Sequence, residues 1–458
     1  MKSLSTRNTA LAVPGVLALG LLAACGSGGS AAAPSSDGSV SIEVAIDQGL
    51  EQGAIDAFNA RVTQFEAVNP KITVTSKEYT WTGTTFAAEL AGGTLPDVFP
   101  IPFTVGRGLI ERQQIADLSG LIAKLPYADK FNPKVAQAGE SADGAMWAVP
   151  IAAYGQGLHY NRTLFTQAGL DPDKPPTTWA EVRKDAKTIA DATGQAGYSE
   201  MTQSNTGGWI LTTLAYANGG RVEVVDGDKV TATVDTPEMT KVLENLKAMR
   251  WDDNSMGANF LYDWGTINQD FAAGKIGMYV SGGGNYGNLF TQNGLKPADY
   301  GVTVLPLDGA DSGVLGGGTL AAVSAKASPA EQAAAVKWID FYYMQKLADK
   351  DAAILDAQTT SDAGQPVGVP QLPVFDQATY EASQVWIKDL INVPLDQMKP
   401  FTDGIFAQAL IAEPASSTQE LYAALDPVVQ AVLTDENADI AGLLADAQVT
   451  VQAILDKA

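Results

Sequence analysis

Residues Met146 to Arg162, MWAVPIAAYGQGLHYNR, form an extended stretch with an aromatic and apolar start, a proline at Pro150 and a middle of small residues. Proline cannot donate to a β-ladder, and Gly155 and Gly157 permit a change of direction. The pattern predicts a strand that bends and continues as a second strand, so that it joins two lobes. On this stretch alone, an edge strand that ends in a loop is the alternative.

The length and composition fit an ordinary globular protein of more than one domain. At 458 residues the chain is too long for one hydrophobic core, so we expect two domains, or one chain that passes back and forth between two. Hydrophobic residues make up 46% of the chain and charged residues 18%. Because the formal net charge is −23, nucleic acid and anionic lipid headgroups are poor partners for its body.

The N-terminus indicates export. Lys2 and Arg7 precede an apolar run, 10–22, that is too short to span a bilayer as a permanent anchor. The sequence Leu22-Ala23-Ala24-Cys25-Gly26 follows, and it resembles the lipobox of bacterial lipoprotein signals. The resemblance implies that residues 1–24 are a signal peptide, that Cys25 carries diacylglycerol and that residues 25–39 are a lipidated tether on the outer face of the cell membrane. Cys25 is the only cysteine of the chain, so its single thiol stands where the lipid belongs. A plain secretory signal is the alternative.

The first hundred residues predict an α/β fold. Strand patterns at 39–46, 71–78 and from Asp97 alternate with helix patterns at 54–68 and 86–91, which favours a parallel sheet of βαβ units. Ligands of such sheets bind at the carboxyl ends of the strands. That rule selects Asp47 and Gln48, Tyr79 and Trp81, and the segment 99–103 with Phe103.

The rest of the chain repeats the pattern and adds two further extended segments marked by proline. Helices are predicted at 178–192, 208–217, 237–251 and 329–344, a hairpin around Asp226-Gly227, and strands at 274–281 and 300–306. The segments YGVTVLP, 300–306, and QPVGVPQLP, 365–373, separate blocks of the chain as the first stretch does. Together they favour two lobes with several crossings, followed by a largely helical C-terminus.

With these motifs in order, the chain resembles the extracellular solute-binding proteins of bacterial ABC importers, in the carbohydrate-binding group that includes the maltose-binding protein. The resemblance rests on the lipobox and on these stretches: Asn69-Pro70-Lys71-Ile72, Leu95-Pro96-Asp97-Val98, Val149-Pro150 with Tyr160-Asn161-Arg162, Thr177-Thr178-Trp179, Phe271 to Met278, and Tyr300 to Pro306. It implies a two-lobed periplasmic-binding-protein fold, type II-like, in which each lobe is a mostly parallel sheet flanked by helices. The lobes, joined by a three-crossing hinge, would comprise 40–151 plus 309–370 and 152–308 plus 371–458. The expected partners are a sugar or oligosaccharide and the membrane permease, with the protein acting as a monomer.

A sugar site needs aromatic rings that stack on the apolar faces of a pyranose and polar groups that bond its hydroxyls. The candidate rings are Tyr79, Trp81, Phe103, Tyr154 and Trp209, and the polar candidates are Asp47, Gln48, Asn205 and Asp403, with Gly317 in the glycine run that starts at Gly316. The resemblance places a ligand contact on the crossing stretch, at Tyr154. One departure concerns a tryptophan that the family usually shows after the 274–278 strand. Here Tyr286 either takes that role or the subsite is missing.

Other functions have weaker support. Gly282-x-Gly284-x-x-Gly287 after a strand, with Asp308 after the next, imitates a dinucleotide fingerprint. A surface-anchored glycosidase needs only two carboxylates, and Glu51, Asp252-Asp253 and Asp263 are available. The run Asp435-x-Asn437-x-Asp439 starts like a calcium loop but has Ile440 where glycine is needed, so we interpret it as a turn between helices. No motif implies a cofactor or a metal, and reversible capture without chemistry is the prediction; a non-sugar solute such as a polyol is the other alternative.

Cys25→Ala tests the anchor. Without the thiol no diacylglycerol can be attached, so we expect the chain to be released from the membrane or to remain unprocessed. Fractionation of the expressing cells followed by immunoblotting measures this, with Ser27→Ala in the tether as the matched control. Membrane retention of Cys25→Ala would show that the anchor is something else.

Overall fold

The computed structural model describes residues 38–226, 229–414 and 417–457. The predicted signal peptide, Cys25 and nearly all of the tether lie outside these ranges, as does the turn of the predicted hairpin at 227–228. From Val40 onward the chain forms one compact unit. Within the described ranges no helix combines the length and the apolar character that crossing a bilayer requires.

The described strands and helices follow the predicted order closely. The strands are β1 (Val40–Ile46), β2 (Ile72–Glu78), β3 (Val98–Pro102), β4 (Val149–Asn161), β5 (Glu223–Asp226), β6 (Lys229–Ala232), β7 (Met278–Gly282), β8 (Tyr300–Val304), β9 (Val314–Val323) and β10 (Leu410–Ala412). The helices are α1 (Gln52–Val68), α2 (Gly83–Gly92), α3 (Phe103–Glu111), α4 (Ser119–Ile122), α5 (Pro133–Ala136), α6 (Arg162–Gln167), α7 (Trp179–Thr193), α8 (Thr206–Ala217), α9 (Pro237–Trp251), α10 (Trp264–Ala272), α11 (Tyr286–Asn293), α12 (Pro329–Ile339), α13 (Gln345–Ala348), α14 (Lys350–Asp362), α15 (Gln377–Ile387), α16 (Leu395–Gly404), α17 (Thr418–Thr434) and α18 (Ile440–Leu455).

Strand β4 joins two sheets, as the opening stretch predicts. Its first half, Val149 to Gly155, pairs antiparallel with β9, and its second half, Gln156 to Asn161, lies between β7 and β8 and is antiparallel to both. The register with β9 shifts between Pro150 and Ala152, which is where proline interrupts the ladder. The stretch is therefore a crossing and not an edge strand.

Each sheet has most of its strands in one direction. In the first, β2, β1 and β3 are parallel, which confirms the βαβ units predicted from the sequence, while β9 runs opposite to β3 and carries β10 parallel at its start. In the second, β7 and β8 both oppose β4 and so run the same way. The α/β fold of the two-lobed type is confirmed.

The two sheets belong to separate hydrophobic cores. The first-lobe cores include Ile42, Val98, Leu320 and Trp338, and the second-lobe core extends from Leu158 to Leu305 and from Val393 to Leu455. Val314 and Leu315 join the second core, whereas Val374 and Phe375 join the first. The chain thus passes from one lobe to the other along β4 and along β9. It passes again between α15 and α16, because α15 packs on α14 and α16 packs on β8. The exact residue limits of the lobes stay a prediction.

The predicted helix starts are explained by capping. The Thr178 hydroxyl accepts a hydrogen bond from the backbone N–H of Glu181, and the Glu181 carboxylate accepts one from the backbone N–H of Thr178. This capping box begins α7. Ser328 and Glu331 form the same arrangement at α12. Asp439 caps α18 directly after α17, so the Asp435 to Asp439 run is the turn between helices that the sequence predicts.

His159, the single histidine, is buried on β4 in the second core. Its Nε2–H donates to the carbonyl of Gly282 at 3.1 Å, and its Nδ1 accepts from the hydroxyl of Tyr300 at 2.9 Å, since a carbonyl can only accept. Burial lowers the pKa of His159 from 6.5 to about 4, opposed by the carbonyls of Ser281 and Gly282. The imidazole is therefore neutral at pH 7 and serves packing.

Because His159 is neutral in the folded protein, we expect the free energy of unfolding to depend on pH. Its folded pKa is lower than its unfolded value, so its contribution is complete above pH 6.5 and is lost as the pH falls towards 4. Relative to His159→Gln, the free energy of unfolding of the wild-type protein should fall by about 2 kcal/mol between pH 6.5 and pH 5. Urea unfolding followed by circular dichroism measures this. A wild-type minus variant difference that does not change with pH would contradict the assignment.

Candidate functional site

The candidate site lies where β4 and β9 cross between the lobes. Tyr154 on β4 pairs with Gly317 on β9. A β-carbon at Gly317 would lie 2.5 Å from the Tyr154 hydroxyl and 2.7 Å from Oε2 of Glu413, so the glycine makes room for both groups. Gly317, a candidate from the sequence, therefore shapes this site through the side chain that it lacks.

Tyr154 meets a second predicted ring, Trp209. The ring centroids are 6.1 Å apart at an angle of 80°, an edge-to-face pair, and both side chains are partly buried. The indole Nε1–H of Trp209 is buried without a hydrogen-bond partner among the described residues. Buried donors are rarely left unpaired, so this one is suited to an acceptor that a ligand supplies.

Trp209 is positioned by the way α8 begins. Asn205 adopts a left-handed conformation with a φ of 69° and does not cap the helix with its own side chain. Instead the carboxylate of Asp426 accepts from the backbone N–H groups of Asn205 and Gly208, each at 2.8 Å. A carboxylate at this end of a helix satisfies free amides and the helix dipole together. Gly208 is required because a β-carbon there would overlap the backbone of Tyr422 on α17.

Direct hydrogen bonds connect the two lobes. Gln419 on α17 donates to Oγ1 of Thr104 on α3 at 3.0 Å and accepts from the amide of Asn205 at 3.1 Å. The backbone N–H of Glu51, ahead of α1, donates to the carbonyl of Thr291 on α11 at 3.3 Å. Asn205 thus lies at a contact between the lobes, where its amide is engaged with Gln419, and its role in binding stays a prediction.

Glu413 is a site residue that sequence reasoning missed. Its Oε1 accepts from the hydroxyl of Tyr422 at 3.2 Å, and burial raises its pKa to about 8 against that one opposing hydrogen bond. Burial and then the Glu413 carboxylate raise the pKa of Tyr154 as well. At pH 7 both groups are protonated and can donate. The only sequence signal for Glu413 is its place directly before Pro414, after the short strand β10.

Gln156 is another residue near the candidate site that the sequence patterns did not indicate. It follows Tyr154 by two residues on β4 and so faces the same side of the strand. Its side chain is fully buried, and neither its amide oxygen nor its nitrogen has a partner among the described residues. An amide that can both donate and accept is thereby added to the site.

The first lobe contributes candidates that the structure places separately. Phe103 begins α3 and fills the space above Gly318, which neighbours Gly317 on β9. Trp81 is partly buried against the first-lobe core, and its Nε1–H is buried without a described partner. Asp47 and Gln48 are exposed at the end of β1. Burial, followed by Tyr342 and Asp47, raises the pKa of Tyr343.

Two candidates, Tyr79 and Tyr286, are buried core residues and need correction, whereas Asp403 lies at the surface on α16. Tyr79 is 1% exposed and packs on Phe99 in the core, although its hydroxyl has no described partner. Tyr286 is 2% exposed and its ring is covered by Phe290 and Tyr300, so it cannot stack on a sugar in this arrangement. Asp403 is exposed and pairs with Lys399 one turn away on α16. The burial of the two rings is decided by packing between segments that no short sequence window contains.

The dinucleotide alternative does not fit the fold. Strands β7 and β8 are separated by β4, whereas the fingerprint needs adjacent parallel strands. The glycines have packing roles: a β-carbon at Gly282 would contact the Tyr154 ring at 3.3 Å, and one at Gly283 would overlap Phe401. Asp308, the supposed ribose ligand, pairs with Lys241.

Three of the four carboxylates considered for a glycosidase have structural partners. Asp252 and Asp253 both pair with Arg183, and Asp263 caps α10. Glu51 stands at the start of α1. The described residues contain no cluster of three or more metal-binding side chains.

Comparison with known proteins agrees with this architecture. The model of a family described as bacterial extracellular solute-binding protein matches residues 50–348. The sn-glycerol-3-phosphate-binding periplasmic protein UgpB of Agrobacterium fabrum is 28% identical over 216 residues, 45% of this chain and 46% of that protein. The chain thus spans about half the length of the curated relatives it matches.

Solved structures extend the likeness over most of the chain. The cyclic α-maltosyl-1,6-maltose binding protein of Arthrobacter globiformis is 24% identical with a TM-score of 0.66, covering 92% of this chain and 100% of that one. An ABC transporter solute-binding protein of Thermotoga lettingae bound with α-D-tagatose is 19% identical with a TM-score of 0.73, covering 91% and 100%. At these identities the likeness establishes the fold. Since the family model also covers well over half of the sequence, the chain belongs to the family of bacterial extracellular solute-binding proteins.

Proposed function

We propose that this protein captures a neutral sugar or oligosaccharide between its lobes and delivers it to the permease of an ABC importer. The observation that carries the proposal is the Tyr154–Trp209 ring pair at the crossing of β4 and β9, with unpaired polar groups beside it. The aromatic rings would stack on the C–H faces of a sugar, while Gln156 and Glu413 would bond to its hydroxyls. No chemical step is needed.

A neutral ligand is favoured over a phosphorylated one. The Agrobacterium relative is named for sn-glycerol 3-phosphate, and the Arthrobacter protein for a cyclic maltosyl-maltose, so relatives alone leave both classes open. A buried phosphate needs arginine or lysine partners. Among the described residues, burial and Tyr422 are what set the pKa of Glu413, and no cation offsets the acid. A phosphate bound beside Glu413 would therefore meet an acid and no counter-charge at that position.

Closure of the lobes would couple capture to delivery. A solute that contacts both lobes favours the closed arrangement by its difference in affinity for the two states. Gln419 and Thr104 already meet across the boundary, beside Asn205. We propose that the permease recognises this closed arrangement, and that the protein acts as an exported monomer held to the outer face of the membrane through lipidated Cys25.

A ligand screen with one variant tests the site. Neutral mono-, di- and oligosaccharides should raise the unfolding temperature by mass action, and sn-glycerol 3-phosphate should not. For the sugar that binds, Trp209→Ala removes a stacking face at a cost of about 1–2 kcal/mol, so Kd should rise about five- to thirtyfold. Isothermal titration calorimetry measures the affinities.

Trp179→Phe is the matched control, because Trp179 is another partly buried tryptophan of the second lobe but lies at the start of α7. It should bind the sugar as the wild-type protein does. An unchanged Kd in Trp209→Ala would remove Trp209 from the site. A shift with sn-glycerol 3-phosphate and none with any sugar would overturn the proposed ligand class.

Glu413 gives a prediction about pH. Burial raises its folded pKa from 4.5 to about 8, so its contribution to stability is complete below pH 4.5 and is lost as the pH rises towards 8. Glu413→Gln is neutral throughout, so its stability relative to the wild-type protein should increase between pH 5 and pH 8. Urea unfolding at several pH values measures this, with Glu436→Gln at an exposed position as the control. A relative stability that stays constant would show that Glu413 is ionised in the folded protein.

A further inference from the structure

A cavity lies in the second lobe, and none of its lining residues belongs to β4 or β9. It has a volume of about 500 Å³ and opens between α7, α8 and α9. Its walls are mainly apolar and come from Trp179, Leu214, Val242, Leu246, Met249 and Leu307. Small-molecule pockets are typically about 300–1,000 Å³ with such linings, so the cavity is large enough for a ligand of its own.

One residue that lines this cavity, Trp179, carries a buried polar group that has no partner among the described residues. The indole Nε1–H of Trp179 is buried and makes no hydrogen bond with any described residue. Trp179 is the first residue of α7, and the Thr178–Glu181 capping box fixes the start of this helix. A buried donor that lacks a protein acceptor is unfavourable unless something else accepts its hydrogen bond.

A second polar group of the cavity is weakly engaged. The amide of Asn245 donates to the thioether sulfur of Met249 at 3.7 Å, and sulfur is a poor acceptor. This amide can change partner at little cost. The cavity therefore offers two neutral hydrogen-bonding groups within apolar walls.

The charged residues at the cavity are already paired. Lys241 forms an ion pair with Asp308, and Arg183 forms ion pairs with Asp252 and Asp253. Neither cation is left to neutralise an anionic ligand. The chemistry thus favours an uncharged molecule.

We propose that this cavity is a second binding site, for a small, neutral, mainly apolar molecule that carries a hydrogen-bond acceptor such as a ketone or ether oxygen. The acceptor takes the hydrogen bond of Trp179 Nε1, and the apolar body packs against Leu246 and Met249. The sugar proposed above is a different kind of ligand, because its many hydroxyls would be left unpaired against these walls. The second site does not depend on the proposed function.

Prodan, a neutral naphthalene ketone whose emission shifts to the blue in apolar surroundings, is a suitable probe. The full chain should bind one Prodan molecule with a blue shift. Trp179→Phe keeps an aromatic ring but removes the donor, so Kd should rise about three- to tenfold. Leu246→Trp fills the cavity and should abolish binding, whereas Leu355→Trp, at an exposed leucine of the first lobe, should not.

Further measurements keep the test decisive. In ¹⁵N spectra, the indole signal that is missing from Trp179→Phe should move when Prodan is added to the wild-type protein. If Leu246→Trp does not fold, Leu307→Trp at the partly exposed wall replaces it. No binding of Prodan, or binding unchanged in both Trp179→Phe and the filled variant, would overturn the proposal. If Trp209→Ala abolished Prodan binding and the cavity variants did not, the dye would lie between the lobes. This result would also overturn the proposal.

Discussion

The pairing of β4 with β9 is the constraint on which the rest of the structure depends. The ladder between them belongs to the first sheet, and β4 continues beyond it into the second sheet, so one strand is shared by both. Close packing around this ladder requires glycine where another chain segment approaches. At Gly316 a β-carbon would overlap Leu410, and at Gly318 it would overlap Phe103. The glycine run of β9 is therefore set by what lies across it, and the space left at Gly317 becomes part of the site.

One face of α17 organises the second half of the site. Gln419, Tyr422 and Asp426 are three, four and seven residues apart, so they share a face of the helix. Gln419 reaches the other lobe, Tyr422 holds Glu413, and Asp426 fixes the start of α8 that carries Trp209. A single helix thus connects the contact between the lobes, the buried acid and the aromatic ring.

Local patterns were sufficient for much of this architecture. Proline, glycine and capping residues act within a few positions, so the crossing stretch and the helix starts, such as Thr178, could be predicted from the sequence. The ring pair was predicted only as two separate residues. Glu413 and Asp426 could not be found, since Asp426 acts on amides 218 positions earlier in the chain. The burial of Tyr286 likewise follows from Tyr300, on another strand.

In the capture proposed above, hydrogen bonds made directly between the lobes would also control how quickly a solute is exchanged. The bond from Gln419 to Thr104 joins protein groups alone, so it stabilises the closed arrangement by about 1 kcal/mol whether or not a solute is bound. A closed, empty molecule admits nothing, and the observed association rate is reduced to the fraction of molecules that are open. The same bond must break before the solute can leave, which prolongs its residence. In the proposed function, slow loading and slow release would thus be two results of one contact.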